Sequence, residues 1–118
     1  MEIEIINIID TTTENGKLQT EYADGTKKWY LNGELHRTDG PAADYADGDK
    51  FWYLNGKPHR IGGPAVEYAD GRAKLWYLNG ELHRTDGPAA DYADGRQEWY
   101  VNGKQFTDMK LFFKAAMQ

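Results

Sequence analysis

Short alternations of apolar and polar residues recur along this chain, and each ends at a dipeptide that favours a tight turn. Asn-Gly begins at residues 32, 55, 79 and 102, and Asp-Gly begins at residues 24, 47, 70 and 94. The residues between these dipeptides alternate as in half-buried β-strands. Because Asn, Asp and Gly adopt positive φ at low cost, both dipeptides predict two-residue type I′ turns. The pattern therefore predicts consecutive antiparallel hairpins.

The pattern repeats with a period of about 23 residues. The motif Tyr-Ala-Asp-Gly begins at Tyr22, Tyr45, Tyr68 and Tyr92, and the tryptophans are Trp29, Trp52, Trp76 and Trp99. Residues 29–48 and 76–95 are identical, which duplication within the gene explains and chance does not. A fixed period of this length is typical of repeat proteins. We expect repeats at about 22–44, 45–67 and 68–91, and a partial repeat at 92–104.

Two-residue turns would fix which side chains share a face of the sheet. Around the first Asn-Gly turn, the tryptophan would share a face with His36, while Tyr30 and Arg37 would lie on the other face. Around the first Asp-Gly turn, Tyr22 would fall on the tryptophan face. We therefore predict a structural core of Trp29, Trp52, Trp76 and Trp99 with Tyr22, Tyr45, Tyr68 and Tyr92.

Two irregularities interrupt the repeat. One extra residue follows Asp70-Gly71, and we expect a bulge at Gly71 to absorb it, because a one-residue slip would move Trp76 to the wrong face. Pro58 stands where the other repeats have leucine, and proline cannot donate to a strand ladder. The strand that contains Pro58 should therefore be short or leave that position unpaired.

The two ends are predicted to cap the repeats. Residues 1–21 are expected to form a hairpin, in which residues 2–9 pair with residues 17–22 across a Thr-Glu-Asn-Gly loop. Residues 105–118 are expected to form a helix with Thr107 or Asp108 as its N-cap. Its predicted apolar face contains Phe106, Met109, Phe112, Phe113 and Ala116. The predicted fold is mainly β: an elongated, single-layer antiparallel meander of hairpin repeats with a short C-terminal capping helix.

Charge and composition narrow the classes of function. The chain has 14 Lys and Arg and 19 Asp and Glu, a net charge of −5, with the two signs alternating along the repeat. Nucleic-acid binders normally have a basic face, so this pattern argues against them. There is no cysteine for a disulfide or a thiolate metal site. Without an evident signal peptide or an apolar run of bilayer length, we expect a soluble cytoplasmic protein.

The repeat motif Trp-Tyr-x-Asn-Gly-x-x-His-Arg-x-Asp-Gly-Pro-Ala, with Tyr-x-Asp-Gly between repeats, resembles a MORN-like repeat. This variant is similar to repeats in bacteriophage and giant-virus proteins, and the resemblance covers roughly residues 22–104. It implies an elongated, curved antiparallel sheet and a role in interaction rather than chemistry. MORN units place glycine after the histidine, whereas this chain has Arg37, Arg60 and Arg84.

The arginines and the aromatic residues are the candidate binding groups. Arg37 and Arg84 are each followed two positions later by aspartate, which predicts either an Arg–Asp pair within the repeat or a recurring anion site. Gly62 replaces this aspartate in the middle repeat, so Arg60 is expected to be free. The tryptophans could pack the sheet or bind a partner. We expect partly exposed tyrosines to serve recognition, and they are Tyr30, Tyr53, Tyr77 and Tyr100.

The sequence favours a binding protein over an enzyme. Every polar group recurs in each repeat, whereas catalytic groups normally occur once, so we expect no catalytic residues and no cofactor. The histidines lie in separate repeats, too far apart to share a metal ion. The leading hypothesis is a phage-encoded accessory module that binds and inhibits or modulates a host protein, such as a defence or regulatory protein. Its acidic residues could occupy a basic groove of that partner. The alternative is a protein that sequesters an anionic small molecule or signalling nucleotide.

Two further interactions follow from the sequence alone. Membrane association is suggested only by the resemblance, and the chain has no polybasic cluster to attract anionic lipid. The N-terminal strand has one evident pairing partner, its own hairpin neighbour, so a homodimer through that sheet edge is a further expectation.

Overall fold

The computed structural model describes residues 8–118, which form an elongated molecule of 51 × 33 × 27 Å. Its strands are β1 (Ile8–Glu14), β2 (Lys17–Tyr22), β3 (Lys27–Leu31), β4 (Glu34–Leu35), β5 (Ala43–Asp44), β6 (Lys50–Phe51), β7 (Tyr53–Leu54), β8 (Lys57–Pro58), β9 (Val66–Glu67), β10 (Ala73–Leu75), β11 (Tyr77–Leu78), β12 (Glu81–Leu82), β13 (Ala90–Tyr92), β14 (Gln97–Val101) and β15 (Lys104–Phe106). One helix, α1 (Met109–Ala116), follows them. The predicted mainly β fold with a short C-terminal helix is confirmed.

The strands form one long antiparallel sheet with short side hairpins. The main sheet has the order β1-β2-β3-β5-β6-β9-β10-β13-β14-β15, and β4 pairs beside β3. The pairs β7-β8 and β11-β12 are two-stranded ladders. Each repeat thus contributes two strands to the main sheet and one Asn-Gly hairpin to its side.

The Asn-Gly turns are two-residue loops, as predicted. Asn32 has a φ of +50° and Gly33 a φ of +85°, and the pairing of Leu31 with Glu34 closes directly around them. The Asn-Gly dipeptides that begin at residues 15, 55, 79 and 102 also have positive φ at both positions. Two consecutive left-handed residues are the mark of a type I′ turn, so this part of the prediction is confirmed.

The Asp-Gly turns differ from the prediction. Tyr22 N donates to the carbonyl of Thr26 at 2.8 Å, so three residues rather than two lie in the loop. Gly25 N donates back to the carbonyl of Tyr22, and Gly25 has a φ of +96°. This arrangement is a type I turn followed by a left-handed glycine bulge. The side chain of Asp24 accepts a hydrogen bond from Thr26 N at 2.8 Å and stabilises the loop.

The extra loop residue reverses the predicted face of the tyrosines at these turns. Gln19 pairs with Trp29 and Leu18 pairs with Tyr30, so Tyr22 lies on the face of Tyr30 and not on that of Trp29. The same reversal holds in the following repeats. The predicted core is therefore wrong for Tyr22, Tyr45, Tyr68 and Tyr92, because one loop residue inverts the side-chain alternation of the whole strand.

The two irregular positions are accommodated locally. Tyr68 N donates to Ala73, so residues 69–72 form a four-residue loop that includes Gly71 and the extra residue. Trp76 consequently stays on the tryptophan face, as predicted. The strand that contains Pro58 is two residues long, and the Pro58 carbonyl accepts a hydrogen bond from Gly80 N.

The interior of this thin sheet consists mostly of small residues. The alanines without any exposed surface are Ala42, Ala43, Ala65, Ala89 and Ala90, all within the Gly-Pro-Ala segments or directly after them. Trp29 N donates to the carbonyl of Ala42, and the same bond recurs in the next two repeats. The Pro-Ala segment of each repeat is thus hydrogen-bonded to the tryptophan strand that precedes it.

The two ends differ in detail from the prediction. Strand β1 extends to Glu14, and its hairpin turns at Asn15 and Gly16. The loop therefore has two residues, whereas four were predicted. The predicted residues 2–7 lie outside the described part of the chain. Helix α1 begins after Asp108, whose side chain accepts from Lys110 N, and Phe112 is fully buried. Phe113 was predicted on the buried face, but 54% of it is exposed.

Candidate functional site

The tryptophan face is closed by arginine side chains. The guanidinium carbon of Arg37 lies 3.7 Å from the ring centre of Trp29, and the pairs Arg60–Trp52 and Arg84–Trp76 repeat this stacking at 3.8 Å. These arginines were predicted on the opposite face, and that prediction is wrong because the chain bends after each histidine and returns over the ring. Stacking a planar guanidinium on indole combines packing with a cation–π attraction.

Each stacked arginine is also held by its own loop. Arg37 donates from Nε to Asp39 at 2.8 Å and from Nη1 to the carbonyl of Pro41 at 3.1 Å. Arg84 makes the same two bonds, to Asp86 and to the carbonyl of Pro88. The hydrogen bond from Arg37, and then its charge, hold the pKa of Asp39 below its usual range. Of the two sequence interpretations, the Arg–Asp pair within the repeat is the one present.

Arg60 is not free, contrary to the prediction. Its Nη1 donates to Glu67 at 3.2 Å and to the carbonyl of Pro64 at 3.1 Å. Glu67 therefore supplies the carboxylate that Gly62 lacks. The middle repeat has replaced a neighbouring partner in the loop with one from the following strand.

The glycine of each Gly-Pro-Ala segment leaves room for the arginine. A Cβ atom on Gly40, Gly63 or Gly87 would lie 2.5 to 2.8 Å from the guanidinium carbon of the arginine in the same repeat. The guanidinium is thus held between an indole ring and a glycine backbone. The sequence did contain a signal for this contact, since His-Arg precedes Gly-Pro-Ala at a constant distance in all three repeats.

The histidines connect one repeat to the next. Asn55 N donates to His36 Nδ1 at 3.0 Å, and His59 and His83 accept from Asn79 N and Asn102 N at 2.9 Å. An accepting Nδ1 carries no proton, so the neutral imidazole holds its proton on Nε2. Within residues 15–118, no three His, Asp or Glu side chains come together as a metal site would require. The geometry assigns these histidines to the junctions between repeats.

Open clefts lie between successive arginine loops on the tryptophan face. One of these clefts has a volume of about 620 Å³ and is lined in part by Trp52, His59, Arg60 and Ile61. Ile61 is 83% exposed at its rim. The charged groups that line this cleft are already paired within the protein, so an anionic ligand would have to displace carboxylates from them.

The opposite face contains all eight tyrosines of the chain. We call it the tyrosine face, and it has two rows along the sheet. The turn row, beside the Asp-Gly loops, is Tyr22, Tyr45, Tyr68 and Tyr92. The hairpin row, beside the Asn-Gly turns, is Tyr30, Tyr53, Tyr77 and Tyr100. All eight rings are half-buried.

The tyrosine rings of the turn row pack against neighbouring side chains, with Lys28 over Tyr22 and Tyr45 and with Arg72 and Arg96 stacked on Tyr68 and Tyr92. Phe51 meets Tyr45 and Tyr68 edge to face, with ring centres 5.2 and 5.8 Å apart. Burial, and then the nearby tyrosines, raise the pKa of Tyr53 and of Tyr77 above the ordinary value. The contacts with Phe51 and with the cationic side chains hold the rings of the turn row in place.

The described elements outside the sheet lie on the tryptophan side. The arginine loops stack on Trp29, Trp52 and Trp76, and helix α1 packs Phe112 against Trp99 at 4.9 Å between ring centres. On the tyrosine face, side chains cover only the turn row: Arg72 stacks on Tyr68 at 3.9 Å and Arg96 on Tyr92 at 4.3 Å. Within residues 15–118, no helix or stacked cation lies over the hairpin row. The structure thus divides the predicted binding residues, with the tyrosines on an open face and Arg37, Arg60 and Arg84 on the closed one.

Comparisons with protein-family models, with curated proteins and with solved structures found no match to this chain. The one helix of the described part, at eight residues, is too short to cross a bilayer.

Proposed function

We propose that this chain is a non-enzymatic protein-interaction module that binds its partner through the tyrosine face. The observation that carries the proposal is the location of all eight tyrosines on one side of the sheet, where within residues 15–118 stacked cations lie over the turn row but no helix or cation lies over the hairpin row. In most proteins so much half-buried aromatic surface would be covered by a second layer. Here the second layer is supplied by the partner.

Tyrosine suits this role for physical reasons. Its ring offers a large contact area with few rotatable bonds, and its hydroxyl can donate or accept a hydrogen bond at a wet interface. Aromatic residues are enriched where protein partners bind. Since Tyr45 and Tyr68 already pack against Phe51, these two rings have little side-chain entropy left to lose on binding.

Charge contributes less than the overall composition suggests. Glu2, Glu4, Asp10 and Glu14 supply most of the acidic excess, and residues 1–16 contain no Lys or Arg. The repeats themselves are close to neutral. We therefore expect binding to depend on aromatic packing, and competition for a basic groove to be a minor part of it.

The resemblance to phage repeats supports a more specific proposal, in which the partner is a bacterial host protein that this chain inhibits or modulates. The alternative, sequestration of an anionic small molecule in the clefts of the tryptophan face, is less favoured because Arg37, Arg60 and Arg84 already bind carboxylates.

The experiment is affinity capture from bacterial lysate with three tagged baits. These are the wild type, the double variant Tyr53→Ala/Tyr77→Ala and the control Ile61→Ala, which changes an exposed side chain on the other face. Circular dichroism and thermal melts first establish that all three fold. We expect one protein near 1:1 stoichiometry with the wild type and the control, and at least tenfold less with the tyrosine variant.

Two results would contradict the proposal. The first is equal capture by the wild type and the tyrosine variant. The second is no captured protein together with a thermal shift by anionic metabolites that Arg60→Ala abolishes, which would favour the alternative.

A further inference from the structure

The Asn-Gly hairpins are joined to one another by a recurring pair of backbone hydrogen bonds. In the first junction, the carbonyl of Leu35 accepts from Gly56 N at 2.9 Å, and Arg37 N donates to the carbonyl of Tyr53 at 3.1 Å. The next two junctions have the same bonds at the same distances, between Pro58 and Gly80, Arg60 and Tyr77, Leu82 and Gly103, and Arg84 and Tyr100. Each junction thus uses one carbonyl and one N–H from the outer side of the preceding hairpin.

The last hairpin has both of these groups but no hairpin after it. Gln105 in β15 pairs with Tyr100 as Leu35 pairs with Tyr30, so Gln105 is equivalent to Leu35 and Thr107 is equivalent to Arg37. None of the hydrogen bonds that lie outside the strand ladders of residues 15–118 uses the Gln105 carbonyl or Thr107 N. The outer edge of β15 can therefore accept another extended chain through the same two bonds.

Helix α1 leaves this edge accessible. The helix follows Thr107 and packs on the tryptophan face, where Phe112 meets Trp99 and Phe106 with ring centres 4.9 and 6.2 Å apart. Gln105 and Thr107 are both exposed. The helix thus lies over the face of the sheet and not against the outer edge of β15.

The charge around this edge is positive. Residues 104–118 contain Lys104, Lys110 and Lys114 and a single acidic residue, Asp108. The ion pairs found within residues 15–118 include none of these three lysines. Because like charges oppose pairing and unlike charges favour it, this edge should repel a second β15 edge and attract an acidic strand.

The opposite end of the same sheet contains such a strand. In the sheet order β1 is first and β15 is last, and within the described residues β1 pairs only with β2. Residues 1–16 contain four acidic residues and no Lys or Arg, so two β1 edges should repel each other. Since the ten strands of this order alternate in direction, β1 and β15 run in opposite directions. A second copy in the same orientation therefore presents β1 antiparallel to β15.

We propose that copies of this chain associate head to tail, with β1 of one copy paired antiparallel to β15 of the next. The backbone of β1 donates to the Gln105 carbonyl and accepts from Thr107 N. Because the two contact surfaces differ, the contact is heterologous and every added copy leaves a new edge free. The association is weak, since few backbone bonds and exposed charges hold it. This inference goes beyond the proposed function and leaves the tyrosine face free for its partner.

Sedimentation velocity of the whole chain, from about 10 µM to about 1 mM, tests the proposal in the range where weak contacts form. We expect the average mass to rise with concentration beyond that of two copies. Thr107→Pro removes the N–H that the earlier junctions use and should weaken association about tenfold. Gln105→Pro is the matched control and should associate like the wild type, because Pro58 occupies the equivalent position and still accepts from Gly80 N.

Charge provides a second readout that leaves the backbone unchanged. Lys104→Glu/Lys110→Glu should weaken association about three- to tenfold at low salt, which is the range expected for exposed ion pairs. The difference should vanish in about 0.5 M salt, where the screening length is about 4 Å. Tyr53→Ala/Tyr77→Ala should associate like the wild type, because the contact does not involve the tyrosine face. Circular dichroism and thermal melts first establish that all variants fold.

Four results would overturn the inference. They are a monomer at every concentration, growth that stops at two copies as a contact between two β1 edges would, equal association of the wild type and a folded Thr107→Pro or Lys104→Glu/Lys110→Glu variant, and association that Tyr53→Ala/Tyr77→Ala abolishes. The first three leave the proposed function standing, since lysate capture depends on the tyrosine face. Capture that is independent of the tyrosines would contradict the proposed function and leave this inference standing.

Discussion

The two faces of the sheet come from the same strands, yet they are completed in different ways. Each tryptophan is covered from within the chain, three by stacked arginines and Trp99 by Phe112 of helix α1. The tyrosines are twice as numerous as the tryptophans, and only their turn row is covered, by Lys28, Arg72 and Arg96. Within residues 15–118, no such side chain lies over the hairpin row. A residue that recurs in every repeat can therefore be an internal contact on one face and an available surface on the other. Repetition alone does not separate the two roles.

The largest expected effect separates the two faces directly. Trp76→Ala should lower the free energy of unfolding by about 2–3 kcal/mol, since it removes a half-buried ring and the support of Arg84. Tyr77→Phe keeps its ring and should change stability by less than about 0.5 kcal/mol. Urea unfolding followed by circular dichroism measures both. Similar losses for the two variants would show that the tyrosine face is also structural at its hydroxyl groups.

A double-mutant cycle sharpens the account of the tryptophan face. Gly87→Ala should cost about 1–2 kcal/mol, because the added methyl group displaces the Arg84 guanidinium from Trp76. Arg84→Ala should cost a similar amount, and the double variant little more than either single one. Additive losses in urea unfolding would mean that the glycine matters for a reason other than room for Arg84.

The histidine hydrogen bonds between repeats should contribute less to the free energy of unfolding than the stacking of arginine on tryptophan. His59→Ala removes the acceptor for Asn79 N and should cost about 1 kcal/mol. The exposed neighbour Lys57→Ala is the control and should be close to neutral. Hydrogen exchange should become faster at the Asn79 amide in the histidine variant. Unchanged exchange there would contradict the assigned role of His59.

The smallest effect concerns alkaline pH. Burial raises the pKa of Tyr77 in the folded chain, so its protonated form stabilises the fold fully below the unfolded value near 10 and progressively less above it. Stability should therefore fall as pH rises above about 10, and Tyr77→Phe should reduce this fall. Chemical unfolding at a series of pH values compares the two slopes. If stability falls with pH equally steeply in the wild type and in Tyr77→Phe, Tyr77 does not contribute to the loss of stability at alkaline pH.

Much of the fold could be predicted from the sequence because the turn dipeptides and the period are explicit. Asn-Gly fixed its own turn type, and the apolar spacing near the C-terminus predicted the helix capped by Asp108. Asp-Gly misled because the same dipeptide serves both two-residue and three-residue loops. The difference of one residue lies in the hydrogen bond from Tyr22 to Thr26, which depends on the partner strand.

The candidate site was less accessible to sequence reasoning. The tyrosines of the hairpin row were identified, but the turn row was assigned to the wrong face, and the aromatic surface was therefore predicted at half its size. The stacking of arginine between indole and glycine is a contact across a bent loop. The constant spacing of His-Arg and Gly-Pro-Ala marks the residues involved, but it does not show that the arginine folds back onto the tryptophan. Glu67 as the partner of Arg60 lies in the next strand and could be found only from the register.

Helix α1 covers Trp99 as the arginines cover the earlier tryptophans, and this equivalence bears on how such a gene can change in length. Phe112 takes the place over Trp99 that Arg84 has over Trp76 in the repeat before it, so the last repeat is closed without an arginine loop of its own. Recombination between the identical segments 29–48 and 76–95 would delete or add two whole repeats and leave every junction chemically the same. The number of repeats can thus change during evolution while the contacts between neighbouring repeats stay the same.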